Sequence, residues 1–250
     1  MRILTVDIGN TRTKAHVWDD ISLINSFAEK NITADDINEF AQKEDVDVIS
    51  ICSVRKEISK LIQKLSAKAK VRVINFGQEA IKEFKDKIYY SSALGADRLA
   101  AFLGGEALYP KEAKMIIDAG TALTIDIVSA DGIFRGGDIS LGLFTRLKAL
   151  SEKTSMLPLV TEWVDCPMFG YDTASAIVSG ALNGVTGEII YAYKRAQKNY
   201  GVNRMLLSGG DANIIGERLK SEGIECDLVP DIVARGMLEL GEIKEKPKGI

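Results

Sequence analysis

Two short segments of this chain carry residues suited to binding a polyphosphate and its cation. The first is Asp7-Ile8-Gly9-Asn10-Thr11-Arg12-Thr13-Lys14, and the second, Asp118-Ala119-Gly120-Thr121, begins 111 residues later. Glycine permits a tight turn, turn amides and hydroxyls suit phosphate oxygens, and a carboxylate suits magnesium. Either copy alone is typical of an ordinary β-hairpin turn. The repetition favours an ATP-dependent phosphotransferase.

A third segment, Gly95-Ala96-Asp97-Arg98, opens a predicted helix. The Asp97 carboxylate would face the positive end of that helix. It could act as a general base on a substrate hydroxyl, with Arg98 neutralising phosphate charge. It could equally be a local cap of the helix, and the residues by themselves favour neither reading.

Two glycine-rich segments are weaker candidates. Gly136-Gly137-Asp138-Ile139-Ser140-Leu141-Gly142 would either let a ligand approach the backbone or form a wide loop before a helix. Ser208-Gly209-Gly210-Asp211 ends a predicted strand, where a base or ribose could pack. His16 alternates within a strand, so we interpret it as a structural residue.

The elements that must position these residues occur twice along the chain. Three strands within residues 2–28 are followed by helix, strand, helix and strand, and a similar plan starts again at residue 114. This pattern predicts a duplicated α/β protein with domains at 1–112 and 113–250. A last helix is predicted from Ile232 to Glu239, with a frayed tail from Lys244 onward.

The composition argues against several classes of function. Apolar residues make up 46% and charged residues 27%, and the net charge of -3 gives no electrostatic case for nucleic acid or a membrane surface. No apolar run is long enough for a membrane span or a signal peptide. Three distant cysteines and one histidine predict buried free thiols and no Cys/His metal site. We therefore expect a cytoplasmic protein.

Together the motifs resemble those of the type III pantothenate kinases, in the superfamily of acetate and sugar kinases, heat-shock chaperones and actin. The pattern Asp-x-Gly-Asn-Thr-x-x-Lys is met at 7–14, Gly-x-Asp-Arg at 95–98 and Asp-x-Gly-Thr at 118–121. The resemblance covers nearly the whole chain. It implies two ribonuclease-H-like (actin-like ATPase) domains with a cleft between them. It also implies ATP-dependent phosphorylation of pantothenate to 4'-phosphopantothenate, the first step of coenzyme A biosynthesis.

The resemblance also implies a role for each motif residue. Asp97 would be the catalytic base, Asp7 would hold magnesium through water, and Asp118 would bind a monovalent cation, either potassium or ammonium. The residues expected to bind ATP are Asp7, Ile8, Gly9, Asn10, Thr11, Arg12, Thr13, Lys14 and Thr121. Those expected to contact pantothenate, near the interface of a homodimer, are Tyr89, Gly95, Ala96, Asp97, Arg98 and Thr173.

Two positions depart from the family pattern, and two other functions stay open. Leu141 replaces a proline, and Ile88 stands where the family has a tyrosine, so a one-residue gap is needed to align Tyr89. One alternative is a kinase of another small alcohol. The other is a non-catalytic transcriptional accessory factor with the same fold. Such a factor would be expected to lack Asp7 or Asp97, and both are present.

Overall fold

The computed structural model describes residues 1–55, 57–88, 94–161 and 167–245, which form two compact units. Unit 1 combines Met1–Pro110 with the segment that begins at Asp231, and unit 2 is Lys111–Pro230. Each unit is built on one five-stranded sheet with its own apolar core. None of the helices described is both long enough and apolar enough to cross a membrane.

Unit 1 carries the first predicted turn and the predicted base. Its elements, in chain order, are β1 (Arg2–Ile8), β2 (Thr13–Asp19), β3 (Ser22–Glu29), α1 (Ala34–Lys43), β4 (Val48–Ser53), α2 (Ile58–Lys68), β5 (Arg72–Asn75), α3 (Phe76–Glu83), a 3-10 turn (Lys85–Lys87), α4 (Ala96–Leu108) and α8 (Ile232–Glu245). The sheet order is β3-β2-β1-β4-β5. The first three strands are antiparallel, and β4 and β5 run parallel to β1.

Alternation along β1 decides which side chains face which helices. Leu4 and Val6 belong to an apolar cluster with Ile37 of α1. Because successive side chains of a strand point to opposite faces, Ile3 and Asp7 lie on the other face. That face packs against α8, where a Cβ on Gly241 would lie 3.0 Å from the Ile3 side chain. Asp7 is therefore on the same side of the sheet as α8.

The last helix belongs to unit 1 because it crosses α4 at glycine positions. A Cβ on Gly104 would lie 2.1 Å from the Ile232 carbonyl oxygen, and one on Gly236 would lie 1.8 Å from the Ala100 carbonyl oxygen. The two backbones could not approach so closely with larger residues. The sequence-based prediction had assigned this helix to the second domain, 113–250, whereas it packs in unit 1.

The last helix is also longer than its sequence pattern indicated. It continues to Glu245 and does not stop at Glu239, so the start of the predicted frayed tail is helical. The remaining residues of that predicted tail, 246–250, lie outside the described part of the chain.

Unit 2 repeats the topology of unit 1. Its elements are β6 (Lys114–Ala119), β7 (Ala122–Val128), β8 (Phe134–Leu141), α5 (Leu143–Lys153), α6 (Thr173–Tyr200), β9 (Arg204–Ser208), α7 (Ala212–Ser221) and β10 (Asp227–Leu228). The sheet order, β10-β9-β6-β7-β8, matches that of unit 1 when read from the opposite edge. The strand directions match as well. The predicted α/β duplication is confirmed.

One predicted loop is a strand. The glycine-rich segment from Gly136 to Leu141 lies within β8 and pairs with β7, so the wide loop was wrong. A Cβ on Gly137 would lie 1.9 Å from the Ile125 carbonyl oxygen, and Gly136 has a φ of 109° beside a shift in register. These glycines therefore serve the close approach of two strands and a local bulge.

Candidate active site

The first predicted phosphate turn connects β1 to β2. The Gly9 amide donates to the Arg12 carbonyl at 3.0 Å, and a Cβ on Gly9 would lie 3.1 Å from the same oxygen. Residues 10–12 are exposed at the tip of the turn, whereas Lys14 is half-buried and lies opposite Asp7 in the strand register. The turn thus presents exposed polar groups where two interior strands of the sheet end.

An arginine that the sequence analysis missed contacts this turn. Arg55 Nε donates to the Gly9 carbonyl at 3.0 Å, and its Nη2 donates to the Asn10 carbonyl at 3.3 Å. The Arg55 amide donates to Ser53 Oγ at 3.0 Å, and that hydroxyl donates to the Ile8 carbonyl at 3.4 Å. Parallel pairing of β1 with β4 brings this segment to the turn. A single arginine after a strand has no motif that would have revealed it.

Asp97 lies in the first turn of α4, and its carboxylate bends back over the start of the helix. Its Oδ1 accepts a hydrogen bond from the Arg98 amide at 2.8 Å. A Cβ on Gly95 would lie 2.7 Å from the same oxygen, so a larger residue there would displace the carboxylate. The positive end of the helix stabilises the negative charge. The position of the Asp97 carboxylate thus accounts for the presence of a glycine at residue 95.

The carboxylates of Asp7 and Asp97 both act on the thiol of Cys52. Cys52 is fully buried in β4, next to Asp7 in the parallel register. Burial raises the pKa of the Cys52 thiol well above its ordinary value, and the charges of Asp7 and Asp97 raise it further. Such an effect requires nearby charges. The structure therefore brings the predicted magnesium-binding residue and the predicted base into one neighbourhood, where Cys52 stays protonated.

The second predicted turn is attached to the start of α5. The Gly120 amide donates to the Ala122 carbonyl at 3.0 Å, and the Thr121 carbonyl accepts from the Gly142 amide at 3.1 Å. Thr145 Oγ1 donates to the same Thr121 carbonyl at 2.6 Å. A Cβ on Gly142 would lie 1.8 Å from the Gly120 carbonyl oxygen. Backbone contact thus fixes this turn to the helix.

The weak candidate after β9 adjoins the same turn. Gly209 has a φ of 100°, and a Cβ there would lie 2.2 Å from the Ala119 carbonyl oxygen. The Asp211 amide donates to that oxygen at 3.0 Å. Burial raises the pKa of the Asp211 carboxyl, and a hydrogen bond from the Phe144 amide lowers it. In unit 2 the Asp-x-Gly-Thr turn, the start of α5 and the loop after β9 therefore form one cluster, which includes the half-buried Asp118.

The predicted contacts to pantothenate are only partly described. Residues 95–98 are half-buried at the start of α4. Thr173 is the exposed first residue of α6, next to Asp172, whose carboxylate caps the helix by accepting from the Ser175 amide at 2.7 Å. Tyr89 lies outside the described residues.

The donor chemistry of Asp7 fits magnesium held mainly by water and phosphate. Within the described residues there is no group of three or more His, Cys, Asp or Glu side chains that could hold a metal ion by themselves. Magnesium commonly takes only one or two carboxylates and completes its shell with water and substrate phosphate. The half-buried Asp7 carboxylate matches that requirement. Asp118 offers one oxygen-donor group at the corresponding position of the second turn.

A model of the type III pantothenate kinase family matches residues 3–195 of this chain. The chain belongs to that family. The matched range includes both turns, the Gly-x-Asp-Arg segment and the start of α6.

Relatives from several bacteria support the family assignment. A type III pantothenate kinase of Flavobacterium johnsoniae is 35% identical over 224 residues, which is 88% of this chain and 90% of the relative. Another, from Phocaeicola vulgatus, is 32% identical over 218 residues, 87% of this chain and 90% of the relative. One from Porphyromonas gingivalis is 41% identical over a shorter range of 152 residues, 60% of this chain and 61% of the relative.

Solved structures show the same fold in more distant proteins. A Campylobacter jejuni protein described as a Baf family transcriptional activator has a TM-score of 0.63 at 24% identity, covering 98% of this chain and all of that chain. The activator of 2-hydroxyisocaproyl-CoA dehydratase from Clostridium difficile, with bound ADPNP, has a TM-score of 0.58 at 15% identity, covering 100% and 99%. At these identities the likeness shows the fold alone. The predicted duplication of ribonuclease-H-like units is thereby confirmed for this member of the family.

Proposed function

We propose that this protein transfers the γ-phosphoryl group of ATP to the primary hydroxyl of pantothenate. The products would be 4'-phosphopantothenate and ADP, as in the first step of coenzyme A biosynthesis. The observation that carries the proposal is that the β1–β2 turn with Asp7 and the start of α4 with Asp97 belong to the same unit, where both carboxylates raise the pKa of the buried Cys52 thiol. Phosphoryl transfer needs a phosphate site next to a group that aligns the attacking hydroxyl. The family match supports the identity of the substrate.

In the proposed reaction Asp97 accepts the proton of the substrate hydroxyl. The hydroxyl oxygen forms a bond to the γ-phosphorus while the bond from that phosphorus to the bridging oxygen breaks, and ADP leaves with the electron pair. The Arg98 amide donates to Asp97 Oδ1 and holds the carboxylate in place, and the ionised carboxylate is the form that accepts a proton. Gly95 leaves that carboxylate its position.

The proposed nucleotide contacts come from both predicted turns. In the first turn, side chains of Asn10, Thr11 and Lys14 contact phosphate oxygens, and Thr121 does so in the second. Asp7 would hold magnesium through water, and Asp118 would hold potassium or ammonium; such cations neutralise phosphate charge. The remaining proposed ATP contacts are Ile8, Gly9, Arg12 and Thr13.

The proposed pantothenate contacts are Tyr89, Gly95, Ala96, Asp97, Arg98 and Thr173. We further propose a homodimer and a cytoplasmic location, both carried over from the family resemblance. The location is supported by Cys52, a buried free thiol typical of reducing compartments.

ATP turnover with and without pantothenate, first in potassium and then in sodium, tests the proposed function. We expect ADP release that depends on pantothenate and is faster in potassium. A panel of other small alcohols, assayed under the same conditions, serves as the control for substrate identity. Preference for another alcohol would reassign the substrate. ADP release with none of the alcohols would contradict phosphotransferase activity.

A further inference from the structure

We infer that Arg55 is a positioning residue that orients the backbone amides of the first turn toward phosphate. The inference rests on the proposed function in one respect, because it takes this turn to be the phosphate site for ATP. Arg55 belongs to none of the family motifs quoted above. It is assigned from its contacts alone.

The contacts of Arg55 fix two successive peptide groups. Its guanidinium donates to the carbonyls of Gly9 and Asn10 at 3.0 and 3.3 Å. The Arg55 backbone is fixed in turn by Ser53, whose hydroxyl bridges the Arg55 amide and the Ile8 carbonyl. Three consecutive carbonyls, from the last residue of β1 into the turn, therefore accept hydrogen bonds from Ser53 at the end of β4 and from Arg55.

The orientation of these carbonyls sets the direction of the amides. In a planar trans peptide the C=O and the N–H point in opposite directions. Carbonyls of Gly9 and Asn10 that point to Arg55 therefore direct the N–H groups of Asn10 and Thr11 away from it. The Gly9 amide donates within the turn, to Arg12. Two adjacent N–H groups on one side of a turn form a concave site that suits an anion.

In the second turn, too, backbone carbonyls are held by donors from outside the turn. The Thr121 carbonyl accepts from Gly142 and Thr145, and the preceding Ala119 carbonyl accepts from Asp211. The carbonyls of both turns are thus held by donors from elsewhere in their own unit. In the first turn one guanidinium binds two of them, because its rigid fork of donors reaches both oxygens, whereas a lysine ammonium is a single point.

The test compares Arg55→Met and Arg55→Lys with a matched control, Arg2→Met. Arg2 lies in the same unit, and its Nη1 also donates to a backbone carbonyl, that of Glu44 at 2.8 Å, away from the turn. The measurements are the dissociation constant of a non-hydrolysable ATP analogue, the KM values for ATP and pantothenate, and the melting temperature of each variant.

We expect Arg55→Met to weaken the ATP analogue and raise the KM for ATP by about 10- to 100-fold, the loss typical of bonds to a charged donor. The KM for pantothenate should change little, and Arg2→Met should leave both KM values near those of the wild type. Arg55→Lys should resemble Arg55→Met more than the wild type, because it keeps the charge and loses the fork.

Three results would overturn the inference: equal losses for ATP and pantothenate, the same loss in Arg2→Met at a similar melting temperature, or full recovery in Arg55→Lys. The proposed function fails separately if the wild type binds the analogue but does not phosphorylate pantothenate, because Arg55 is then still judged by analogue affinity. A wild type that does not bind the analogue would contradict both.

Discussion

The site proposed in unit 1 depends on which of its side chains carry charge. Asp97 lies in the first turn of α4, where its Oδ1 accepts a hydrogen bond from the Arg98 amide. Cys52 is buried beside two carboxylates, and its raised pKa keeps the thiol neutral. In the proposed reaction the carboxylates of Asp7 and Asp97 have separate roles: Asp7 binds the cation, and Asp97 accepts the substrate proton.

Replacing Asp97 with Asn should lower turnover by about two to four orders of magnitude, because the amide cannot accept the hydroxyl proton. Affinity for a non-hydrolysable ATP analogue should stay close to that of the wild type. Steady-state kinetics and calorimetric titration measure the two effects. Glu106→Gln, a carboxylate change in the same helix, is the control. Near-normal turnover in Asp97→Asn would remove Asp97 from the role of base.

His16 is the only histidine of the chain, and its surroundings favour the neutral ring. It stacks on Trp18 with ring centroids 6.0 Å apart, and its Nδ1 is buried without a hydrogen-bond partner among the described residues. Burial lowers the pKa of His16; Asp231 raises it to a smaller extent, and Lys14 and Arg235 lower it further.

This depressed pKa predicts a pH dependence of stability. The unfolded chain binds a proton at His16 at about pH 6.5, whereas the folded chain binds it only at lower pH. The free energy of unfolding should therefore be undiminished above that value and fall as pH decreases from about 6.5 toward the folded pKa. Urea unfolding between pH 7.5 and 5.5 measures the slope, and His16→Gln should flatten it. Identical slopes in the two proteins would contradict the assignment.

The motif residues of the site could be predicted because their types and spacing recur. Asp7 and Asp97 were assigned from sequence, but the register that pairs Asp7 with Cys52 and the effect of both carboxylates on the pKa of that thiol are specified by no local pattern. Arg55 was missed for the same reason. The role of Tyr89 stays a prediction, since it lies outside the described residues.

At the scale of elements, two helical glycines differ in the space around them. Gly104 of α4 lies where a Cβ would be 2.1 Å from the Ile232 carbonyl oxygen of α8. Gly187 of α6 is exposed, and a Cβ there would meet nothing within 4 Å. Replacement of glycine by alanine should therefore change the free energy of unfolding in opposite directions at these two positions.

Gly104→Ala should lower the free energy of unfolding by about 1–3 kcal/mol, because the helices must separate to admit a methyl group. Gly187→Ala should raise it by about 0.5–1 kcal/mol, because alanine loses less backbone entropy in a helix. Chemical denaturation of the two variants, made in parallel, measures both. A stabilised Gly104→Ala protein would mean that the α4–α8 crossing is not close-packed.

The elements could be predicted where an apolar run or a helical spacing of apolar residues dominated the segment. Strands β1 and β6 are apolar runs buried along most of their length. The sequence also predicts elements at 143–153, 204–208 and 212–221, which are the bounds of α5, β9 and α7. The short helix α3 was missed because its eight residues make little more than two turns, so the helical pair Phe76 and Ala80 is too short a pattern to predict a helix. The end of β8 was missed because its glycines are typical of loops, and only the partner strand explains them.

At the scale of the whole molecule, unit 1 is discontinuous in sequence. Residues 1–110 supply the five strands of its sheet and five helical elements. The sheet face that carries Ile3 is nevertheless covered by α8. Arg235 of α8 also lies over the Trp18 ring, 5.2 Å from its centroid. The repeat of topology could be predicted from the order of strands and helices. The return of the chain to unit 1 could not, because adjacency in sequence favoured unit 2.

A chain that stops after Pro230 should leave unit 1 without cooperative structure. The faces of β1 and α4 that pack on α8 would be exposed, whereas unit 2 loses no residue of its own. Hydrogen exchange should show fast exchange in β1 and β4 and slow exchange in β6 and β9. A chain that stops after Glu245 keeps the helix and is the control. Native-like protection of β1 in the shorter chain would contradict this role of α8.

The position of α8 also bears on how the protein is made. The ribosome releases the strands of the first sheet early, and the 14-residue helix that packs against that sheet emerges only after the whole of unit 2. Unit 2 can therefore fold on the nascent chain before unit 1 is complete, the reverse of the usual N-terminal order. A polypeptide that broke off after Pro230 would carry every motif residue but would lack the helix that packs on the first sheet.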